Sequence, residues 1–255
     1  MDHISCSQIN LYLHCPLKYK FNYIDKLPKP FKPSGLAFGS AIHAALAWLH
    51  KQRMNGDKAS RKQLLSVFDA DWYAQTLDTK LHYRNGETGS KLKVLGKEML
   101  AMYFDQAYQK PVGAEVAFTL PLVDFKTGEK LPVDIEGYID LIERDDTIVE
   151  FKTSSQTMRE SDLENHLQLT AYGYAYKMLY QREPRHFRLV DFVKNKKPKV
   201  IKLEAGKDRF DYRRFFHLAQ QVHRAVRQNI FFPRQSFMCK DCEFSDACKN
   251  WSPKR

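Results

Sequence analysis

Two short segments carry most of the chemistry in this chain: Gly137-Tyr-Ile-Asp140 and Ile148-Val-Glu150-Phe-Lys152. An aspartate ends one apolar, strand-like run, and a Glu-x-Lys sits inside the next. Charged groups in such runs are costly to bury unless a metal or a reaction uses them. Strand side chains alternate with period two, so Glu150 and Lys152 share a face. The intervening Arg144-Asp145-Asp146 suits a tight hairpin turn. With a three-residue loop, Glu143 pairs with Thr147 and Asp140 with Glu150, which puts both carboxylates and the lysine on one face. A two-residue loop would turn Asp140 to the opposite face, so the chemistry requires an odd loop or a bulge.

Carboxylate oxygens are hard ligands that suit Mg²⁺ or Mn²⁺. Such an ion activates water and neutralises charge on phosphate oxygens, and a nearby lysine can orient that water or offset the developing charge. These are the requirements of phosphodiester hydrolysis. A Glu-x-Lys by itself is an ordinary surface alternation. The preceding Gly-x-x-Asp and the apolar flanks Ile139, Leu141, Ile148, Val149 and Phe151 are what point to a site.

Two further motifs flank these strands. Gly39-Ser-Ala-Ile-His43 lies in an apolar helical run, and Gln168-Leu-Thr-Ala-Tyr172 places two polar side chains at i, i+4 on one helix face. Alone, His43 reads as a packed or surface histidine, and Gln168 and Tyr172 as ordinary amphipathic-helix residues. In order, the series His43, Asp140, Glu150-x-Lys152, Gln168-x-x-x-Tyr172 resembles the RecB-like branch of the PD-(D/E)xK nuclease superfamily. The opening segment from Ser5 to Phe21, with its Cys15-Pro16 step, is similar to the first helix of that branch. The resemblance runs from about the fifth residue to the end and is least specific over 50–110. It implies that His43, Asp140, Glu150 and the Phe151 carbonyl hold one or two divalent cations. It also implies that Lys152 assists the attacking water, and that Gln168 and Tyr172 contact DNA or order Lys152.

Five cysteines are present: Cys6, Cys15, Cys239, Cys242 and Cys248. The last three suit thiolates converging on one metal centre, which leaves a four-coordinate site one ligand short. Cys15 or Cys6 must supply the fourth. In the resembling nucleases a cysteine before a proline joins three C-terminal ones around a [4Fe–4S] cluster. The resemblance therefore assigns Cys15, Cys239, Cys242 and Cys248 and leaves Cys6 as a small buried residue. Four thiolates also bind zinc, and spacing alone does not separate the two metals. A disulfide framework is not expected, since the count is odd, no signal peptide precedes Ser5 and the chain is large. Either metal would clip the chain ends together, as a structural rather than redox-catalytic centre.

The chain has 255 residues, 43% hydrophobic and 13% aromatic, enough for a sizeable core. No apolar run approaches a membrane span, so a soluble, cytoplasmic protein is expected. Net charge is +11, from 41 basic and 30 acidic residues, which favours a polyanionic partner. Lys194, Lys196, Lys197 and Lys199 form one basic run, and Arg209, Arg213 and Arg214 another. Lys18, Lys20, Arg224 and Arg227 are further candidates for a phosphate-lined channel. Each run is equally a solvated face. Interleaved aromatics, as in Lys18-Tyr-Lys-Phe and Arg213-Arg-Phe-Phe, would suit stacking on unpaired bases but also serve core packing.

Periodicity places helices near 5–24, 38–53, 60–77, 90–109, 160–180 and 208–229. It places strands near 114–123, 132–143, 147–153, 186–193 and 199–204. Pro28, Pro30, Pro33 and Gly35 make 26–35 a loop. Glu115, opening the first of these strands, is either an extra acid near the metals or a solvated strand end. The pattern fits an α/β fold, a mixed sheet flanked by helices, and the resemblance makes it restriction-endonuclease-like. A single domain spans 1–255, with 1–35 and 230–255 forming the iron–sulfur subregion and 36–229 the nuclease core.

The expected function is a metal-dependent DNA nuclease, an exonuclease acting on DNA ends or single-stranded DNA, yielding 5′-phosphates. The resemblance points to recombination, repair or CRISPR adaptation, with a separate helicase, recombinase or CRISPR integrase as partner and ring-like oligomers in some relatives. No P-loop motor occurs in the chain. The alternative is a catalytically silent nuclease-fold subunit that binds DNA around an iron–sulfur or zinc centre.

Overall fold

A computed structural model describes residues 3–77, 80–84 and 86–252. In chain order the elements are β1 (His3–Ser5), α1 (Cys6–His14), α2 (Pro16–Tyr19), a π-turn (Lys20–Ile24), β2 (Lys32–Pro33), α3 (Ser34–Asn55), α4 (Arg61–Leu77), β3 (Leu81–His82) and α5 (Gly89–Phe104). Then come β4 (Pro111–Val123), β5 (Lys130–Glu143), β6 (Thr147–Ser154), α6 (Glu160–Leu163), α7 (Leu167–Tyr180), β7 (His186–Val193), β8 (Lys199–Ala205), α8 (Arg209–Arg227), a 3₁₀ turn (Phe237–Asp241) and α9 (Ser245–Lys249). No helix among the described residues is long and apolar enough to cross a membrane.

The main sheet runs β1-β5-β6-β7-β8, with β4 also paired to β5. It is mixed: β4–β5, β5–β6 and β7–β8 are antiparallel, whereas β1–β5 and β6–β7 are parallel. Strand β4 takes up one edge of β5 along nearly its whole length. A strand has only two edges, so β1 and β6 must share the other. There β1 pairs with Asp134–Glu136 and β6 with Leu141 and Ile142. Residues 137–140 lie in the gap between them.

Helices α3, α4 and α5 pack on one face through Phe38, Ile42, Phe68 and Met99 against Leu141, Val149, Phe151 and Phe192. Helices α1, α7 and α8 cover the other through Ile9, Leu169, Tyr174 and Phe216 against Ile135, Ile142, Ile148 and Leu189. This is the expected α/β architecture.

Two expected helices are each interrupted. The first breaks at Cys15, which is extended (φ −161°, ψ 102°), and restarts with Pro16 at its first turn. Proline lacks the N–H that a continuous helix would need there. The second breaks between Leu163 and Leu167, where His166 caps a new helix. Helix α5 stops at Phe104, short of residue 109. The 26–35 loop contains β2, which pairs with β3, and α3 begins inside it at Ser34.

Candidate active site

The hairpin between β5 and β6 sets the register. Leu141 pairs with Val149 and Ile142 with Ile148, which brings Asp140 opposite Glu150 across a three-residue loop. Asp146 supplies the left-handed residue that closes it (φ 64°), and its N–H donates to the Glu143 carbonyl at 3.0 Å. Val149 and Phe151 point to the α3–α5 side and Ile148 to the α7 side, so Glu150 and Lys152 face α7 by alternation. Gly137 has a steric reason. A Cβ there would lie 2.8 Å from the Phe118 ring. Gly39 lets α3 approach β6, since its Cβ would come within 3.3 Å of Thr153 Oγ1.

Past Leu141 the two strands part, and side chains replace the ladder. Asp140 Oδ2 accepts the Phe151 N–H at 2.8 Å, and Oδ1 accepts the Tyr172 hydroxyl at 3.1 Å. That hydroxyl accepts from Gln168 Nε2 at 2.7 Å, and Gln168 Oε1 accepts the Lys152 ammonium at 2.7 Å. The ammonium also lies 2.5 Å from Glu150 Oε1. Lys152, Gln168, Tyr172 and Asp140 thus form one chain of contacts. Helix α7 presents Gln168 and Tyr172, and His166 fixes its start by accepting the Leu169 N–H at 3.3 Å.

Glu150 is fully buried (0% exposed); its Oε1 meets the Lys152 ammonium at 2.5 Å, and its Oε2 has no hydrogen-bond partner among the described residues. A buried carboxylate with one oxygen left unpaired is costly unless a cation completes it. His43, Glu115 and Asp140 offer ligand atoms all within 4.8 Å of one another. His43 Nδ1 is 3.7 Å from Asp140 Oδ2, too far for a hydrogen bond. Glu115 falls opposite Asp140, because its neighbours Ala114 and Val116 pair with Leu141 and Ile139. Its backbone is left-handed (φ 53°), a strained state for glutamate that tilts the side chain into the cleft. The donor set fits a hard divalent cation.

The charges agree. Burial, then the Glu150 carboxylate, pushes Asp140 well above its usual range. Burial works against the Lys152 ammonium, but Glu150 and Asp140 outweigh it and hold Lys152 above its ordinary value. Burial lowers His43, leaving the neutral imidazole that a metal needs. The Phe151 backbone, as an acceptor through its carbonyl, favours the charged imidazole and so faces His43. Burial, then Glu150, raises Tyr172, which remains a donor.

Two cavities meet at His43. One, about 450 Å³, is lined by Cys6, Glu115, Glu136, Asp140, Gln168 and Tyr172. The other, about 830 Å³, runs past Lys152, Lys194, Arg84 and Phe237. Cys6 sits in the wall of the first, its thiol pushed up to about 12 by burial and by Glu150.

Cys15, Cys239, Cys242 and Cys248 line a separate cavity of about 490 Å³, and Cys6 is not in it. No three of these sulfurs lie within 4.8 Å of one another. The chain ends meet around this cavity. Leu17 N–H donates to the Phe232 carbonyl at 3.0 Å, Lys18 pairs with Glu243 at 2.7 Å, and Phe21 packs on Phe244.

Of the basic residues singled out above, Lys194 lines the cavity that reaches Lys152. Lys196, Lys197 and Lys199 are exposed on or beside the β7–β8 turn. Arg209 and Arg213 line another cavity that shares no residue with those at His43, and Arg213 pairs with Asp124 at 3.4 Å. Arg214 pairs with Asp211 at 2.7 Å. His166 and the neighbours of Phe237 escaped the sequence reading. A histidine three residues before the buried run Leu169–Tyr176 gave no sign that it caps α7.

No curated protein matches the chain by sequence. A solved structure described as a "putative exonuclease" from Eubacterium rectale aligns over 100% of this chain and 90% of its own, with a TM-score of 0.61 and 13% identity. A second, of SSO0001, aligns over 91% of this chain and 93% of its own at 16% identity, with a TM-score of only 0.40. The first shares the restriction-endonuclease-like fold. The profile of the PD-(D/E)XK nuclease superfamily matches residues 3–249, and the chain belongs to that superfamily.

Proposed function

We propose that this chain is a RecB-like, metal-dependent DNA exonuclease. The observation that carries the reading is Glu150, fully buried with one oxygen unpaired, beside Asp140 and the converging His43 and Glu115. His43, Asp140, Glu150 and the Phe151 carbonyl would hold one or two Mg²⁺ or Mn²⁺ ions, with Glu115 as a further ligand. When bound, the cation supplies an activated water and neutralises charge on the phosphate oxygens. Lys152, fixed by Glu150 and Gln168, places its positive charge where charge develops on the phosphate. Tyr172 and the Phe151 N–H hold Asp140 in a single orientation.

Cys15, Cys239, Cys242 and Cys248 would hold a [4Fe–4S] cluster. They line one cavity with apolar walls from Leu17, Phe21 and Phe244. A closed tetrahedral zinc site, at about 2.3 Å per Zn–S bond, needs its sulfurs roughly 3.8 Å apart. Four thiolates drawn to that spacing would suit zinc as well, and metal analysis distinguishes it from the cluster. Residues 1–35 and 230–255 then act as one subregion on a nuclease core of 36–229. Any unwinding motor is a separate partner.

Digestion of end-labelled single- and double-stranded DNA with Mg²⁺ or Mn²⁺, with a circular control, tests the activity. Linear strands should shorten from an end and leave 5′-phosphates, while circles survive. Intact linear DNA under all these conditions would remove the reading.

A further inference from the structure

The two cavities that meet at His43 differ in charge. The smaller is lined by Glu115, Glu136 and Asp140 and by no lysine or arginine. The larger is lined by Lys18, Arg84, Lys152 and Lys194 against Glu87 and Asp241; the first three are paired with Glu243, Asp241 and Glu150, and Lys194 has no ion-pair partner among the described residues. A polyanion approaching the metal-binding carboxylates meets less repulsion along the second route.

The second route also has aromatic and apolar surface. Phe237 is 89% exposed, and Met238 and Leu36 beside the same groove are 47% and 60% exposed. A phenylalanine this exposed adds nothing to the core, and apolar surface rimmed by polar groups marks an interaction site. The turn that carries it is tied across the groove. Asp241, at the end of the same turn, reaches His82 at 3.5 Å and Arg84 at 3.2 Å across the groove. Ser236 caps the turn by accepting the Met238 N–H at 3.2 Å.

We infer that this groove carries single-stranded DNA to the carboxylates, with Phe237 as the platform on which a base stacks and Lys194 and Arg84 facing its phosphates. A positive groove with an exposed aromatic beside it is what binds unpaired strands, because every base has a face to stack and every link a charge to neutralise. A duplex hides its base faces and gains nothing from Phe237. The inference rests on the nuclease reading and assigns the strand's path and the side chains that hold it. It also moves the strand path away from Arg209, Arg213 and Arg214, none of which lines either cavity at His43.

The test is an anisotropy titration of a fluorescein-labelled single-stranded oligonucleotide against the full chain, in EDTA to hold cleavage off. Phe237→Ala should weaken binding about 5- to 150-fold, the range for losing one stacked base. Phe237→Trp should restore it. On an abasic strand of equal length, wild type and Phe237→Ala should bind alike. Lys194→Gln should lower the salt slope by about one. Wild-type affinity in Phe237→Ala, or an equal loss on duplex DNA, would overturn the groove assignment while wild-type cleavage leaves the nuclease reading standing. A wild-type protein that neither binds nor cuts nucleic acid overturns the reading beneath it.

Discussion

Glu150 shows how much one side chain can reveal. A carboxylate at 0% exposure whose counter-charge among the described residues is Lys152 is held in the fold at a cost, which a bound cation would offset. Glu150→Gln keeps the volume and removes the charge. It should cut DNA about a hundredfold more slowly or worse, and should lose the rise in melting temperature that Mn²⁺ gives wild type. Wild-type cleavage by purified Glu150→Gln would sink the site. Lys152→Ala separates the two roles. Cleavage should fall comparably, yet the Mn²⁺-dependent rise should persist, because the carboxylates remain. A Lys152→Ala protein that no longer responds to Mn²⁺ would make the lysine part of the ion's binding site.

At the scale of elements, the hairpin register was legible because a three-residue loop and strict alternation leave one arrangement that puts Asp140, Glu150 and Lys152 together. The contribution of Glu115 was only half legible. Its acidity was visible, but the left-handed backbone that turns it inward arises from pairing across β4 and β5 and leaves no mark in sequence. The breaks at Cys15 and at His166 went unread because apolar periodicity continues across both. His166 offers a prediction. Burial lowers its pKa to about 4, from an ordinary 6.5, and its neutral ring caps α7. The unfolded chain takes up a proton first as pH falls, so this contribution is intact above pH 6.5 and is lost progressively towards about pH 4. His166→Asn retains a capping acceptor that does not titrate there. Its denaturation midpoint should fall less between pH 7 and 4 than that of wild type. Parallel pH profiles for the two proteins would show that His166 does not titrate with folding.

The molecule as a whole is closed by its ends. Cys15 and Cys239 stand more than two hundred residues apart in sequence, yet line one cavity, and backbone and ion-pair contacts hold the segments around them together. Crosslinking so distant points constrains the unfolded chain strongly, by analogy with covalent links that contribute about 2–5 kcal/mol in small domains. The same turn that bears Cys239 also bears Phe237, so a centre held there would fix one wall of the groove leading to Lys152. Replacing Cys15, Cys239, Cys242 or Cys248 by Ser should therefore remove iron and sulfide, lower the unfolding midpoint and weaken single-stranded DNA binding together. Cys6→Ser should retain full iron, because Cys6 lies in the wall of the carboxylate cleft instead. Iron and sulfide analysis of anaerobically purified variants, beside their denaturation curves, decides the matter. Wild-type iron in Cys15→Ser would take Cys15 out of the ligand set, and zinc without iron in wild type would replace the cluster with a zinc centre on the same four sulfurs.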